Sequence, residues 1–127
     1  MAASLHILSG GAAAGLVRKL QAGFEARHGC RIEGSFGAVG GMREKLLAGS
    51  PCDLLILTQA LIDDLAAQGR ADAASVKPVG LVKTGVALKD KHAAVTADAQ
   101  QAELAARLVE ALSAPQAADL RRECGFE

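Results

Sequence analysis

Three times before Gly69 the chain repeats one pattern: a short extended run, a sharp turn, then apolar residues at helical spacing. Leu5-His6-Ile7-Leu8 runs into Ser9-Gly10-Gly11. Ala13, Leu16, Val17, Leu20 and Phe24 then fall on one helix face, and Gly29 is placed to end it as a left-handed cap. Arg31-Ile32-Glu33-Gly34-Ser35-Phe36 alternates polar and apolar residues as a strand does. After Gly37 a second helix is predicted from about Ala38 to Ala48, stopped by Gly49-Ser50-Pro51. Leu54-Leu55-Ile56-Leu57 is continuously apolar, as in a strand covered on both faces. Thr58 is the expected N-cap of a third helix, which bears Leu61, Ile62 and Leu65 and closes at Gly69. Successive units of this kind leave few topologies: parallel strands joined by right-handed crossovers, with helices packed on the sheet.

The remainder breaks the pattern. Pro78, Gly80 and Gly85 divide the β-rich stretch from Val76 to Leu88 into two strand pieces. Lys89-Asp90-Lys91 reads as a tight turn, with Ala93-Ala94-Val95-Thr96 returning as a partner strand. Asp98 with Gln101, and Ser113 with Gln116, have the form of capping boxes. The first precedes a helix marked by Leu104, Leu108 and Leu112, and the second a segment ending at Gly125. The expected fold class is α/β: a three-layer sandwich of a mostly parallel sheet flanked by helices, with a β-hairpin near 89–92. Its 127 residues suit one domain, 1–127, with one sizeable core.

Composition narrows the function classes. Fourteen basic residues balance fourteen acidic ones, so the basic excess of a nucleic-acid binder is missing. No run of 18 apolar residues could span a membrane, and Met1-Ala2-Ala3-Ser4-Leu5 lacks the character of a signal peptide. On these grounds the chain is expected to be cytoplasmic, or to have lost a signal by processing. Phe24, Phe36 and Phe126 are the only aromatic residues among Phe, Tyr and Trp, which leaves little for stacking bases or flavins. Cys30, Cys52 and Cys124 fit no zinc-ligand spacing and are expected as buried free thiols. Neither a metal nor a cofactor is expected.

In an open parallel sheet, ligands meet the carboxyl ends of the strands, where helix N-termini present free N–H groups. Here those ends are Ser9-Gly10-Gly11-Ala12, Gly37-Ala38-Val39-Gly40 and Thr58-Gln59. Glycines let an anion approach the backbone, although they serve equally to permit sharp turns. Gly10-Gly11-Ala12-Ala13-Ala14-Gly15 is neither G-x-G-x-x-G nor a P-loop. Gly37-Ala38-Val39-Gly40 has the GXXG shape of KH domains without their topology or charge. Catalytic groups are scarce. His6, His28 and His92 have no nucleophile at informative spacing, and His28 with Cys30 lies at the opposite edge from the expected site. Asp53 reads as a turn or capping group, and Asp63-Asp64 as a solvated helix face. No catalytic residue is assigned.

Leu5-His6-Ile7-Leu8-Ser9-Gly10-Gly11-Ala12, Ser35-Phe36-Gly37-Ala38-Val39-Gly40 and Cys52-Asp53-Leu54-Leu55-Ile56-Leu57-Thr58 resemble the molybdate-type periplasmic substrate-binding proteins of ABC transporters. So does the closing stretch, Leu112-Ser113-Ala114-Pro115-Gln116-Ala117-Ala118 through Gly125-Phe126-Glu127. The resemblance implies a periplasmic address, a transporter permease as partner and an oxyanion held between two α/β lobes. It also implies two departures. Lys89-Asp90-Lys91-His92 stands where the second lobe would be inserted, so the chain resembles lobe one closed on itself. Ala12 and Val39 occupy positions where the family presents serine hydroxyls, and each polar partner removed is worth about 1–3 kcal/mol.

The leading expectation is therefore a non-enzymatic, single-lobe relative that binds a small oxyanion weakly. The ligand surface would comprise Ser9, Gly10, Gly11, Ala12, Gly37, Ala38, Val39 and Thr58. A second expectation is a structural or interaction module, a homodimer paired through the uncovered inter-lobe face or the hairpin edge. A third, a flavodoxin-like enzyme or signalling domain, lacks an acidic phosphoacceptor cluster and aromatic flavin platforms.

Overall fold

The computed structural model describes residues 3–84 and 87–126. The three repeats form as the pattern requires. Strands β1 (Ala3–Gly10), β2 (Cys30–Gly37) and β3 (Leu54–Leu57) are parallel, with β1 between the other two. Helix α1 (Ala14–His28) follows β1 through a 3-10 turn at Gly11–Ala13, α2 (Val39–Leu47) follows β2, and α3 (Gln59–Ala67) follows β3. Gly29 ends α1 at φ 61° and donates its N–H to the Glu25 carbonyl, a left-handed cap that a side chain would strain.

The sheet divides the core in two, and β3 shows how. Leu54 and Ile56 pack with Leu5, Ile7, Leu16 and Phe24, on the face that also receives Leu108 and Leu112. Leu55 and Leu57 point the other way, onto Leu8, Met42, Leu46, Ile62 and Leu65. Thus α1 and α4 (Ala102–Ser113) cover one face, and α2 and α3 cover the other. All four β3 residues are fully buried, which is why this strand reads as an uninterrupted apolar run.

Strands β4 (Lys77–Thr84) and β5 (Ala87–Val95) complete a five-stranded sheet of order β2-β1-β3-β5-β4. Strand β5 is antiparallel to both β3 and β4 and alone opposes the direction of the other four. The hairpin is where the sequence suggests, but its reversal is not. Lys89, Asp90 and Lys91 lie inside β5, paired with Val82, Leu81 and Gly80, and His92 pairs with both Pro78 and Leu57. The chain turns back between Thr84 and Ala87, which face each other in register; Gly85 and Val86 lie outside the described residues. Three successive charged residues look like a turn by composition. Here β5 is gripped on both edges, and the backbone ladder overrides that preference. A register shift between Pro78 and Gly80 absorbs the proline, which has no N–H to give the ladder.

Neither expected capping box forms. The backbone N–H groups of Gln100 and Gln101 reach the Asp53 carboxylate at 2.9 and 3.1 Å, so α4 starts on an anion from before β3 and not on Asp98. The Ser113 hydroxyl donates back to the Val109 carbonyl, and a 3-10 turn at Pro115–Ala117 leads into the short α5 (Ala118–Glu123). Phe126 is buried and its backbone bridges to Val82, covering the outer edge of β4. Cys30 is buried as expected, whereas Cys52 and Cys124 are only partly so; all three are free thiols. Among the residues whose burial is described, Leu81 is the one large hydrophobic side chain left exposed.

Candidate functional site

Strands β1 and β2 are neighbours, yet α1 leaves β1 for one face of the sheet and α2 leaves β2 for the other. Their carboxyl ends therefore flank a crevice of the kind in which open α/β sheets bind ligands. Gly10 faces Gly37 across the ladder, and Gly11 packs directly over the Gly37 backbone, where an added Cβ would lie 3.8 Å from the Gly37 Cα. Gly10 has an ordinary backbone, with φ −57°, so its need for glycine is one of space. A Cβ at Gly10 would fall 2.8 Å from Val39 Cγ1 and 3.1 Å from Lys91 Cε. Gly10, Gly11, Gly37 and Val39 thus meet at one point, with Ala12 and Ala38 next to them in the chain.

The starts of the helices differ in how their free N–H groups are satisfied. Gly10 and Ala38, the residues preceding the first 3-10 turn and α2, provide no side-chain cap, and neither first turn carries an acidic residue. In α2 the first intrahelical donor is Met42, bonded to the Ala38 carbonyl, which leaves the N–H groups of Val39, Gly40 and Gly41 ahead of the ladder. In α3, by contrast, Thr58 Oγ1 accepts from the Leu61 N–H at 3.3 Å, and Asp90 Oδ2 accepts from the Gln59 N–H at 2.6 Å. Asp53 does the same for the start of α4.

The two hydroxyls nearest the crevice are not equivalent. Ser9 is fully buried and spends its only hydrogen on the Gly10 carbonyl, 2.8 Å away. Thr58 uses a lone pair in capping and keeps its hydrogen available as a donor. Sequence reasoning missed two side chains at this end of the sheet, Asp90 and Lys91, because it assigned both to a turn. Lys91 is only 4% exposed, and its stem lies against Gly10. Burial pulls its ammonium below the ordinary lysine pKa, opposed by Asp90 and reinforced by Lys89. No local signal in the sequence marks Asp90 or Lys91: Lys89 to His92 are four polar residues in a row between apolar runs, without the alternation of a half-buried strand.

The other polar candidates are accounted for by structure. His28 packs on Phe24 with ring centroids 4.4 Å apart, and burial together with Glu25 pushes the Cys30 thiol up, so His28 and Cys30 form no nucleophilic pair. Asp64 pairs with Arg43 at 2.8 Å and ties α3 to α2. Asp53 is buried and accepts from His6 N–H as well as Gln100 and Gln101, the capping role its position suggests. A cleft of about 330 Å³ at the opposite end of the sheet is lined by His6, Cys52, Asp53, Arg70 and Asp98. Its Asp53 carboxylate is already committed to backbone donors, and its Cys52 thiol is pushed up to about 12, chiefly by burial. Among the described residues no group of three His, Cys, Asp or Glu side chains could hold a metal ion, and no helix is long and apolar enough to cross a membrane.

Comparison with known proteins agrees with this layout. The family of bacterial extracellular solute-binding proteins matches residues 5–94, which includes all three strand–helix units and the crevice. The fold is shared with the substrate-binding domain assigned to a molybdenum ABC transporter of Clostridium difficile, with a TM-score of 0.84 at 11% identity over 99% of both chains. It is shared equally with the periplasmic molybdate-binding protein of Azotobacter vinelandii, with a TM-score of 0.83 at 10% identity, covering 97% of this chain and 98% of that one. A LysR substrate-binding domain from Wolinella succinogenes is less similar, with a TM-score of 0.53 at 12% identity over 63% of this chain and 34% of the other. No curated protein sequence matches the chain.

Proposed function

The chain belongs to the bacterial extracellular solute-binding protein family, and from that premise we propose that it is a non-enzymatic binding protein for a small oxyanion of the molybdate type. The observation that carries the proposal is the contrast between helix starts. Those of α3 and α4 are satisfied by Thr58, Asp90 and Asp53, whereas the two that flank the β1–β2 crevice have no side-chain acceptor of their own. An oxyanion supplies what they lack: acceptor oxygens for the N–H groups and negative charge for the aligned helix dipoles.

The ligand surface consists of the backbone at Gly10, Gly11, Ala12, Gly37, Ala38 and Val39, with Thr58 contributing a hydroxyl from the end of β3. Ser9 supports the Gly10 backbone from beneath. Two features make the affinity low. Ala12 and Val39 bring no hydroxyl to the ligand, and the anion stays open to water on the side away from the sheet. The reversal between Thr84 and Ala87 fits a single lobe whose partner lobe would be inserted at that hairpin. An ABC transporter permease is the partner where transport is retained.

Titration calorimetry with molybdate, tungstate, sulfate and phosphate tests the proposal. Saturable binding weaker than about micromolar is expected, equivalent to less than about 8 kcal/mol. Sub-micromolar affinity in a monomer would contradict the low-affinity reading, and no heat with any of the four anions would contradict the site itself.

A further inference from the structure

Building on that oxyanion site, we propose that Lys91 is its charge-bearing specificity residue and selects doubly over singly charged oxyanions. Lys91 comes from β5, outside the three strand–helix units that build the crevice, and reaches over the end of β1 until its Cε sits against Gly10. Val39 Cγ1 meets the same point from the start of α2. The side chain is thus packed into the junction of the two uncapped helix starts.

Its ammonium is underused there. An ammonium has three hydrogens to donate, and Nζ makes one bond, of 3.3 Å, to the carbonyl of its own neighbour Asp90. No described carboxylate pairs with it. The Asp90 carboxylate, adjacent in sequence, turns its Oδ2 to the Gln59 N–H at 2.6 Å and to His92 Nδ1 at 3.0 Å instead. A lysine residue only 4% exposed, with donors to spare, is costly to keep charged unless negative charge offsets it. The neighbouring Asp90 charge offsets it only in part, and a bound anion in the crevice would supply the rest.

The charge balance then points to a ligand class. Each helix start presents roughly half a positive charge, and Lys91 adds a full one, giving about two in all. That sum matches a tetrahedral dianion such as molybdate or sulfate. Perchlorate has the same shape with half the charge, so the pair isolates charge from geometry.

The test is calorimetry with sulfate, molybdate and perchlorate on the wild-type protein and on Lys91→Met, which keeps an apolar stem over Gly10. Lys91→Met is expected to lose about tenfold or more in dianion affinity, the equivalent of one hydrogen bond to a charged group, with perchlorate affinity changed far less. Lys91→Arg restores the dianion preference, and Lys19→Met, which removes an exposed lysine of α1, leaves all three affinities unchanged. Undiminished dianion binding by folded Lys91→Met overturns the role of Lys91 while leaving the site standing. Failure of the wild-type protein to bind any of the three overturns the site, and the inference with it. A measurement independent of any variant is the ¹³Cε resonance of Lys91 in the wild-type protein. It should shift with molybdate at the calorimetric midpoint, and an unmoved resonance contradicts the proposal.

Discussion

The Asp90 carboxylate accepts the Gln59 N–H at 2.6 Å, so a residue of β5 closes the start of α3 with negative charge. One strand therefore treats two neighbouring helix regions in opposite ways. Asp90 satisfies α3, and the next residue, Lys91, brings positive charge toward α1 and α2. Under the proposed function, this division is what would confine an anion to the β1–β2 crevice.

Asp90→Asn should weaken the start of α3 by about 0.5–1 kcal/mol, since the contact is partly exposed and the helix-dipole term is modest there. Burial raises the Asp90 pKa, but hydrogen bonds from Gln59 and His92 and the His92 charge outweigh it, so the folded value lies below the ordinary 3.8. A carboxyl lowered on folding contributes stability above its unfolded pKa and loses it as pH falls through the folded one. Acid titration followed by circular dichroism should show this contribution disappearing below about pH 4 in the wild-type protein and missing in Asp90→Asn.

Asp53→Ala should be far more damaging. The carboxylate is buried and accepts from His6, Gln100 and Gln101, joining β1, the lead-in to β3 and the start of α4. Its removal strands three backbone donors at once, for an expected loss of about 3 kcal/mol or more in urea denaturation. A loss under about 1 kcal/mol would contradict this role.

How far the chain discloses itself depends on whether the determining contacts are local. The three strand–helix units are legible because period, glycine stops and the Thr58 cap all act within a few residues, and β3 announces its double burial by Leu54–Leu57. The caps of α3 and α4 are illegible in part because Asp90 and Asp53 arrive from 31 and 47 residues away. For the same reason Asp98 and Ser113, with the right local spacing, are passed over. The place of Lys91 depends on β5 being held between β3 and β4, which no window of sequence contains. Fourteen glycines suggest where turns fall, but only the register places Gly10 against Gly37.

Gly10→Ala tests the close packing at the crevice. With 2.8 Å to Val39 Cγ1 and 3.1 Å to Lys91 Cε, an added methyl must displace both side chains, at a cost of about 1–3 kcal/mol. Thermal unfolding should report that loss, and oxyanion binding should weaken in parallel. Gly15→Ala, where an added Cβ meets nothing within 4 Å, should be neutral or stabilising because it sits in α1.

Cys52 should be nearly inert while the protein is folded. Burial, reinforced by Asp53 and opposed by backbone hydrogen bonds at Leu8 and Leu54, lifts its thiol to about 12. Alkylation by iodoacetamide near pH 8 should therefore label Cys52 far more slowly in the native protein than in denaturant. The raised value also favours the folded state below the ordinary thiol pKa. That contribution should decline as pH rises from about 9 toward about 12. Rapid native labelling of Cys52, read by mass spectrometry, would contradict it.

The most direct test of the central claim is a ¹H–¹⁵N correlation titration of the folded protein with molybdate. The amides of Gly11, Ala12, Val39, Gly40 and Gly41 should move together and saturate at one midpoint, while those of Gln100 and Gln101, held by Asp53, stay in place. Shifts centred on Arg70 and Asp98 at the far end of the sheet, or no saturable shift at all, would contradict an oxyanion site in the β1–β2 crevice.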